Sequence, residues 1–277
     1  MYPCQPHQRI SEAQYAQFLE QGYLFLHNYI QGDELASLQA AQRSVLKPWD
    51  EVKHDPPKGR TLMVPYPPPN VTMAGLYRHP ELLRLARRYL KSDDLFFVPG
   101  HLIARYPGFV TPDTGHTDNG NNSLLPMSES AREYSQIVFW IHLEEVTAET
   151  APMRVGKRCD GRDISKATPF ICPPGSVLIY TNYTWHAASS FTGSSGQRFN
   201  WNLKLKRADH PFEGLLHYTS LGQNPIFKQV IAGCTAEERT LFRFPPSNHP
   251  YYTRQTLAAL EAQYPGWNAR GEYHPTD

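Results

Sequence analysis

The chain has 277 residues, with 27 basic against 26 acidic side chains and a net charge of +1. It is long enough to bury a sizeable core, and its charge balance gives no electrostatic case for a nucleic-acid partner. Its apolar runs fall short of the ~18 residues that cross a bilayer. The opening Met1-Tyr-Pro-Cys-Gln-Pro6 lacks the basic and apolar stretches of a signal peptide, so the expectation is a cytoplasmic protein with no membrane partner.

No repeat and no long linker divides the sequence. A single domain over 1–277 is expected, with a supporting region at 10–94, a core at about 95–207 and a helical extension at 208–277. Ser11 followed by Gln14 makes a capping box for a helix over 11–20 that Gly22 stops. Residues 23–30 read as a strand, and Asp33 caps a helix reaching Leu46. The stretch 48–70 is rich in proline and charge, with Lys53, His54, Lys58 and Arg60 ahead of Pro65-Tyr-Pro-Pro-Pro69. It reads as a solvated loop, and its functional alternative is a lid that carries cations to an anionic substrate. Residues 80–91 form an amphipathic helix, and 95–106 a strand.

The run Thr114-Gly-His-Thr-Asp-Asn-Gly120 follows. Two residues apart on an extended strand, His116 and Asp118 point to the same side and can bind one metal ion, with Asn119 beside them. The polar segment 119–133 directly after Asp118 is a natural gate. In Tyr134-Ser-Gln-Ile-Val-Phe-Trp-Ile-His-Leu143 the alternation predicts a strand with Ile137, Phe139, Ile141 and Leu143 on one face. Trp140 and His142 fall on the other face, which looks into the cavity, with Trp140 beside a cofactor or substrate. For His142 a bond to a neighbouring carbonyl is the structural alternative.

Pro174-Gly-Ser-Val-Leu-Ile-Tyr-Thr-Asn182 is a turn and a short apolar strand, which leaves His186 at a strand end where a site can open. Arg198-Phe-Asn-Trp-Asn-Leu-Lys-Leu-Lys206 alternates cleanly. Phe199, Trp201, Leu203 and Leu205 make its apolar face, and Arg198, Asn200, Asn202 and Lys204 its polar one. A barrel with helices outside and a charged cofactor inside predicts this pattern. His116, Asp118 and His186 together form a two-histidine, one-carboxylate triad, the arrangement that leaves positions open on a non-haem Fe(II) for a cosubstrate and O2. Arg198 adds a planar, bidentate partner for a carboxylate, with Lys204 as the fallback. Arg105, Arg154 and Arg158 are further candidates for an anionic substrate group, and each also reads as a surface charge. Beyond Lys206 come helices, including one over 253–264, and aromatic loops such as Phe242-Arg-Phe-Pro-Pro-Ser-Asn-His-Pro-Tyr-Tyr252, expected to pack on the outside of the barrel.

These landmarks carry a resemblance. The opening from Ile10 to Ile30, the His116/Asp118 pair, Trp140-Ile-His-Leu-Glu-Glu-Val146, Pro174-Gly-Ser-Val-Leu-Ile179, and His186 with Arg198 resemble, in order, the phytanoyl-CoA dioxygenase-like family. The resemblance runs from about Ile10 to Lys206. It implies a mainly β, α+β fold with a double-stranded β-helix (jelly-roll, cupin-like) core. It further implies Fe(II) held by His116, Asp118 and His186, 2-oxoglutarate anchored by Arg198 with Trp140 alongside, and O2 as the oxidant. His142, Arg105, Asn119 and Asn200 are the candidate residues around the substrate. The implied reaction is hydroxylation of a small molecule with release of succinate and CO2. Asp118 argues against halogenation, because related halogenases replace that carboxylate with a small residue.

The chain departs from the family in the loop Glu149-Thr-Ala-Pro-Met-Arg-Val-Gly-Lys-Arg-Cys159 and in Ala188 after the distal histidine. Two other readings remain: a metal-dependent cupin-like enzyme that does not use 2-oxoglutarate, and a noncatalytic jelly-roll binding module.

Overall fold

The computed structural model describes residues 5–65, 73, 76, 79–98, 100–118, 136–207, 225–240 and 244–277. The capping box forms as expected. Ser11 Oγ accepts from the Gln14 amide at 3.2 Å, and the Gln14 side chain accepts from the Ser11 amide at 2.9 Å. Helix α1 (Glu12–Gln21) then ends at Gly22 with φ 84°, a left-handed stop that glycine adopts without steric cost.

Strand β1 (Tyr23–Leu26) is shorter than the expected 23–30. The chain turns out of the sheet at Asn28, whose φ is 52°, and the Ile30 amide bonds instead to the Gly175 carbonyl at 2.8 Å. Helix α2 (Gly32–Val45) begins one residue before Asp33, which sits in its first turn and favours that end through the helix dipole.

The stretch 48–70 is more ordered than a solvated loop. It holds the short helix α3 (Trp49–Val52), a 3-10 turn at Lys58–Arg60 and strand β2 (Thr61–Pro65). Thr61-Leu-Met-Val64 has strand-forming side chains, and its backbone groups find partners along a sheet edge. Residues 66–70 of that stretch lie outside the described residues. Helix α4 (Pro80–Leu90) starts with proline in its first turn and is capped by Lys91 at φ 52°.

The expected strand over 95–106 is two strands, β3 (Leu95–Val98) and β4 (His101–Arg105). Between them a Cβ on Gly100 would overlap the backbone carbonyl of Asn202, so the close approach there requires glycine. The remaining strands are β5 (Gln136–His142), β6 (Arg154–Val155), β7 (Thr168–Pro169), β8 (Ser176–Thr181), β9 (His186–Ala187) and β10 (Arg198–Arg207).

The large sheet is antiparallel throughout, ordered β1-β8-β5-β10-β4-β2, with β3 also alongside β10. The small sheet runs β7-β6-β9. The last of the described strands therefore lies in the middle of the large sheet. Its first half pairs with β4 and its second half with β3, while β5 flanks it on the other side.

The two faces of β5 and β10 divide as their alternation predicts. Ile137, Phe139, Ile141, Phe199, Trp201, Leu203 and Leu205 join the main core with Leu82, Leu85 and Tyr89 of α4 and Phe18 of α1. Each such fully buried side chain stabilises the fold by roughly 1.5–3 kcal/mol. Val138 and Trp140 face the other way, into a second cluster with Tyr23, Met153, Phe170, Leu178 and Tyr180 between the sheets. This is the α+β, jelly-roll architecture expected of the sequence.

The C-terminal part contains α5 (Pro225–Gly233), α6 (Ala236–Thr240) and α7 (Arg254–Gln263). Its aromatics differ from the expectation. Phe244, Tyr251, Tyr252, Tyr264, Trp267 and Tyr273 pack on one another in a cluster of their own. Its centre is the buried Arg239, whose guanidinium lies 3.8 Å from the Trp267 ring centroid and donates to the Ile231, Ala232 and Trp267 carbonyls. A cation on ring faces that also satisfies loop carbonyls organises these rings. Phe242 lies outside the described residues. Among the described residues no helix is long and apolar enough to cross a membrane.

Candidate metal centre

His116 and His186 lie directly opposite one another and exchange both backbone hydrogen bonds, each 2.9 Å long. Their rings stand 4.3 Å apart. His116 belongs to no regular strand: it makes an isolated bridge, and Asp118 follows in a bend. The expected extended strand is thus reduced to one paired residue, because β9 is two residues long and offers no longer partner. The intended convergence survives. His116, Asp118 and His186 each present a ligand atom, all within 4.8 Å of one another, and His186 Nε2 is 3.6 Å from Asp118 Oδ1.

Orientation is set by backbone groups. The Nδ1–H of His186 donates to the Thr184 carbonyl at 2.9 Å, which leaves Nε2 as a lone-pair donor facing the carboxylate. Burial, with help from His116 and against the pull of Asp118, lowers the His186 pKa to about 4, so the ring is neutral and able to ligate at neutral pH. Gly115 makes the approach possible, since a Cβ there would overlap the Trp185 indole. Two imidazoles and a buried carboxylate with converging atoms are a donor set that fits Fe(II).

The polar face of β10 runs away from the triad as a series of buried rows. Tyr180, whose ring is 4.9 Å from His186, shares a row with Val138 and Lys204. The next row joins Asn202, Trp140 and Leu178. Beyond it lie Asn200 and His142, and then Arg198 opposite Arg105. The Arg198 guanidinium reaches back to 5.8 Å from the Trp140 ring. Trp140 therefore lies between the triad and the arginine, on the interior face where the sequence puts it.

Arg198 is 2% exposed, and its Nε and Nη1 have no hydrogen-bond partner. Burial, then the neighbouring Arg105, against Cys172, lowers its pKa to about 9, which keeps it charged at neutral pH. Both amide atoms of buried Asn200 are equally unpartnered. A buried cation with idle donors is costly unless a carboxylate completes it, and the far carboxylate of 2-oxoglutarate has the matching chemistry. Gln197 pins the start of the strand, donating to Glu144 at 2.9 Å and accepting from the Trp49 amide at 3.1 Å.

His142 makes the carbonyl bond that its structural reading expects. It lies on the interior face, and its Nδ1–H donates to the Phe199 carbonyl at 3.1 Å. Burial and the Arg198 charge, against that hydrogen bond, push its pKa down to about 3. Its Nε2 is buried and without a partner, a neutral acceptor. Arg105 is largely covered. It donates to Thr61 Oγ1 and to the Ala104 carbonyl, and lies 4.3 Å from the Phe109 ring centroid, so it is engaged in the wall. Arg154 pairs with Asp113, and Arg158 is exposed. Asn119, with the 119–133 gate, lies outside the described residues. The Thr184 carbonyl, Gly115 and the contact with Tyr180 were not singled out from sequence, because nothing in the local pattern marks them.

The sequence model of the phytanoyl-CoA dioxygenase (PhyH) family matches residues 18–199. No curated protein matches the chain. Among solved structures the chain is similar to SnoK, a non-haem alpha-ketoglutarate-dependent carbocyclase from nogalamycin biosynthesis, with a TM-score of 0.55, 19% identity, and coverage of 75% of this chain and 88% of that one. It is similar to HygX from Streptomyces hygroscopicus with nickel and 2-oxoglutarate bound, with a TM-score of 0.55, 15% identity, and 72% and 88% covered. It is also similar to EctD from S. alaskensis with 2-oxoglutarate and 5-hydroxyectoine, with a TM-score of 0.53, 17% identity, and 74% and 79% covered. At these identities the likeness is one of fold, whereas the family match spans well over half of the sequence and includes both His116/Asp118 and His186/Arg198. The chain belongs to the phytanoyl-CoA dioxygenase (PhyH) family.

Proposed function

We propose that the protein is an Fe(II)- and 2-oxoglutarate-dependent dioxygenase that hydroxylates a small organic molecule, with iron held by His116, Asp118 and His186 and the cosubstrate's far carboxylate by Arg198. The observation that carries this reading is the pairing of converging ligand atoms within 4.8 Å with a buried arginine whose Nε and Nη1 are unpartnered. Bound together, iron, 2-oxoglutarate and O2 supply the oxidising power for C–H hydroxylation, with succinate and CO2 as co-products.

The chain's own residues do the rest. Thr184 holds the His186 ring in the tautomer that offers Nε2. Asp118 brings the one negative charge that the two neutral imidazoles lack. Arg198 fixes one end of a linear dicarboxylate and Trp140 walls its flank, so the other end meets the triad. His142 offers an acceptor at the same end of the cavity as Arg198. The buried setting excludes water and strengthens each of these electrostatic contacts. HygX and EctD have been solved with hygromycin B and 5-hydroxyectoine, respectively, which supports a small-molecule substrate here.

The test is anaerobic addition of Fe(II) and then 2-oxoglutarate to the apo protein, watching for the weak visible charge-transfer band of the chelate. A band that disappears in His116→Ala is the expected result. Bound iron with no band would move the assignment to a metal enzyme that does not use 2-oxoglutarate. No iron binding at all would indicate a noncatalytic module.

A further inference from the structure

Besides Arg198, the polar face of β10 carries two buried cations, Lys204 and Lys206, that the proposed chemistry does not use. Lys204 is 4% exposed and shares a row with Val138 and Tyr180, at the triad and three rows along the strand from Arg198. It feels the charge of Asp118, yet it makes no hydrogen bond or ion pair with any described residue. Gln136 lies diagonally across on β5, opposite Lys206. It is fully buried, and neither its Oε1 nor its Nε2 has a partner. Diagonal neighbours on adjacent antiparallel strands stand ~7–8 Å apart at Cα, within reach of two long side chains.

Burying the Gln136 amide without partners is costly, and Lys204 brings a positive charge beside it. The two groups have complementary roles toward one ligand: a positive charge, and an N–H donor beside it. Both needs are met by a carboxylate. The row order also fixes which carboxylate. Arg198 and Trp140 occupy the rows on one side of the triad, while Gln136 lies beyond the Lys204 row on the other. A 2-oxoglutarate anchored at Arg198 ends at the metal and does not extend past it.

We propose that Lys204 and Gln136 form a substrate-anchoring site for a carboxylate, so that the molecule oxidised by this enzyme is a small organic acid whose carboxylate is held on the side of the metal opposite Arg198. This inference rests on the dioxygenase reading, which supplies the metal and the cosubstrate. Lys204 contributes the charge and Gln136 the directional hydrogen bond. Together they would orient the acid and leave the remainder of the molecule over the open coordination positions.

The experiment uses full-length protein loaded with Zn(II) and saturating 2-oxoglutarate, with 4-fluorobenzoate and 4-fluorobenzamide as matched probes in fluorine NMR titrations. The Fe(II)·2-oxoglutarate band is recorded first on the same preparation, so a failure of the dioxygenase reading is seen separately. The acid is expected to bind and the amide not. Lys204→Met should weaken the acid at least tenfold and Gln136→Leu severalfold, with 2-oxoglutarate affinity unchanged in both. The proposal is overturned if the acid does not bind the loaded wild-type protein, if acid and amide bind alike, or if binding survives Lys204→Met. A Lys204→Met variant that loses 2-oxoglutarate instead would also overturn it, assigning the lysine to the cosubstrate. Lys204→Arg, which keeps the charge, should retain acid binding and so separates loss of charge from damage to the fold.

Discussion

The backbones of His116 and His186 are joined by two reciprocal hydrogen bonds of 2.9 Å, so the imidazoles on either side of the metal position are fixed to each other before any metal arrives. The side chains contribute nothing to that link. Replacing His116 or His186 with alanine should abolish Fe(II) binding and turnover and leave the thermal unfolding midpoint of the apo protein nearly unchanged. Metal analysis after iron loading, together with calorimetry of the apo variants, checks both halves of the expectation.

Arg198→Ala should leave iron bound but weaken 2-oxoglutarate by about 1.5–3 kcal/mol, the usual loss for hydrogen bonds to a charged group, or roughly ten- to a hundredfold in dissociation constant. Titration of the chelate band at fixed iron measures it. Unchanged 2-oxoglutarate affinity would remove Arg198 from its assigned role.

Gly115→Ala, one residue before His116, places a methyl group against the indole of Trp185, the residue before His186. Either the indole or the His116 backbone has to move. Overpacking of this kind typically costs about 1–3 kcal/mol, and the iron affinity of the variant is expected to fall with its stability. Gly156→Ala is the control, because a Cβ there meets Trp185 atoms only at 3.5 Å or beyond. Iron titrations of the two variants should separate them.

A pH dependence follows from His142, whose pKa is lowered from 6.5 to about 3, chiefly by burial and then by Arg198. Below pH 6.5 the unfolded chain takes up a proton at this position that the folded chain refuses. Stability therefore falls as pH drops from about 6.5 toward 3, by up to about 1.4 kcal/mol per pH unit from this group. His142→Gln removes the proton uptake, so its stability should decline less steeply than that of the wild type over pH 4–6 in chemical denaturation. Parallel slopes in the two proteins would sink the assignment.

What could be read without coordinates follows from period. Arg198 to Lys206 alternates without a break, and Gln136 to His142 sets a wholly apolar face against a mixed one, so the period of two assigns every side chain to a face once the helices cover one side. Arg198, Trp140 and His142 were legible for that reason, as was α1, with both of its caps written in Ser11, Gln14 and Gly22. The two-residue strand at His186 carries no periodic signal, and neither does the bend at Asp118. Their convergence could be inferred from residue type and family resemblance but not from pattern. The break at Gly100 was invisible because its cause, the Asn202 carbonyl, lies on a distant strand. Lys204 was legible as a polar-face position and a fallback carboxylate partner, but sequence shows alternation and not whether a buried charge finds a partner.

The position of β10 governs how the protein must be made. The strand that carries Arg198 is the last of the ten described strands to leave the ribosome, yet it inserts between β5 on one flank and β4 and β3 on the other. Until Arg207 has emerged, those three strands present open hydrogen-bonding edges on the nascent chain, with Phe139 and Ile141 uncovered beside them. Such edges recruit other chains, and pairing at this separation in sequence is slow. Translation halted anywhere before residue 207 therefore leaves a sheet without its central strand, and the proposed cosubstrate anchor and the closing of the sheet arrive in the same step.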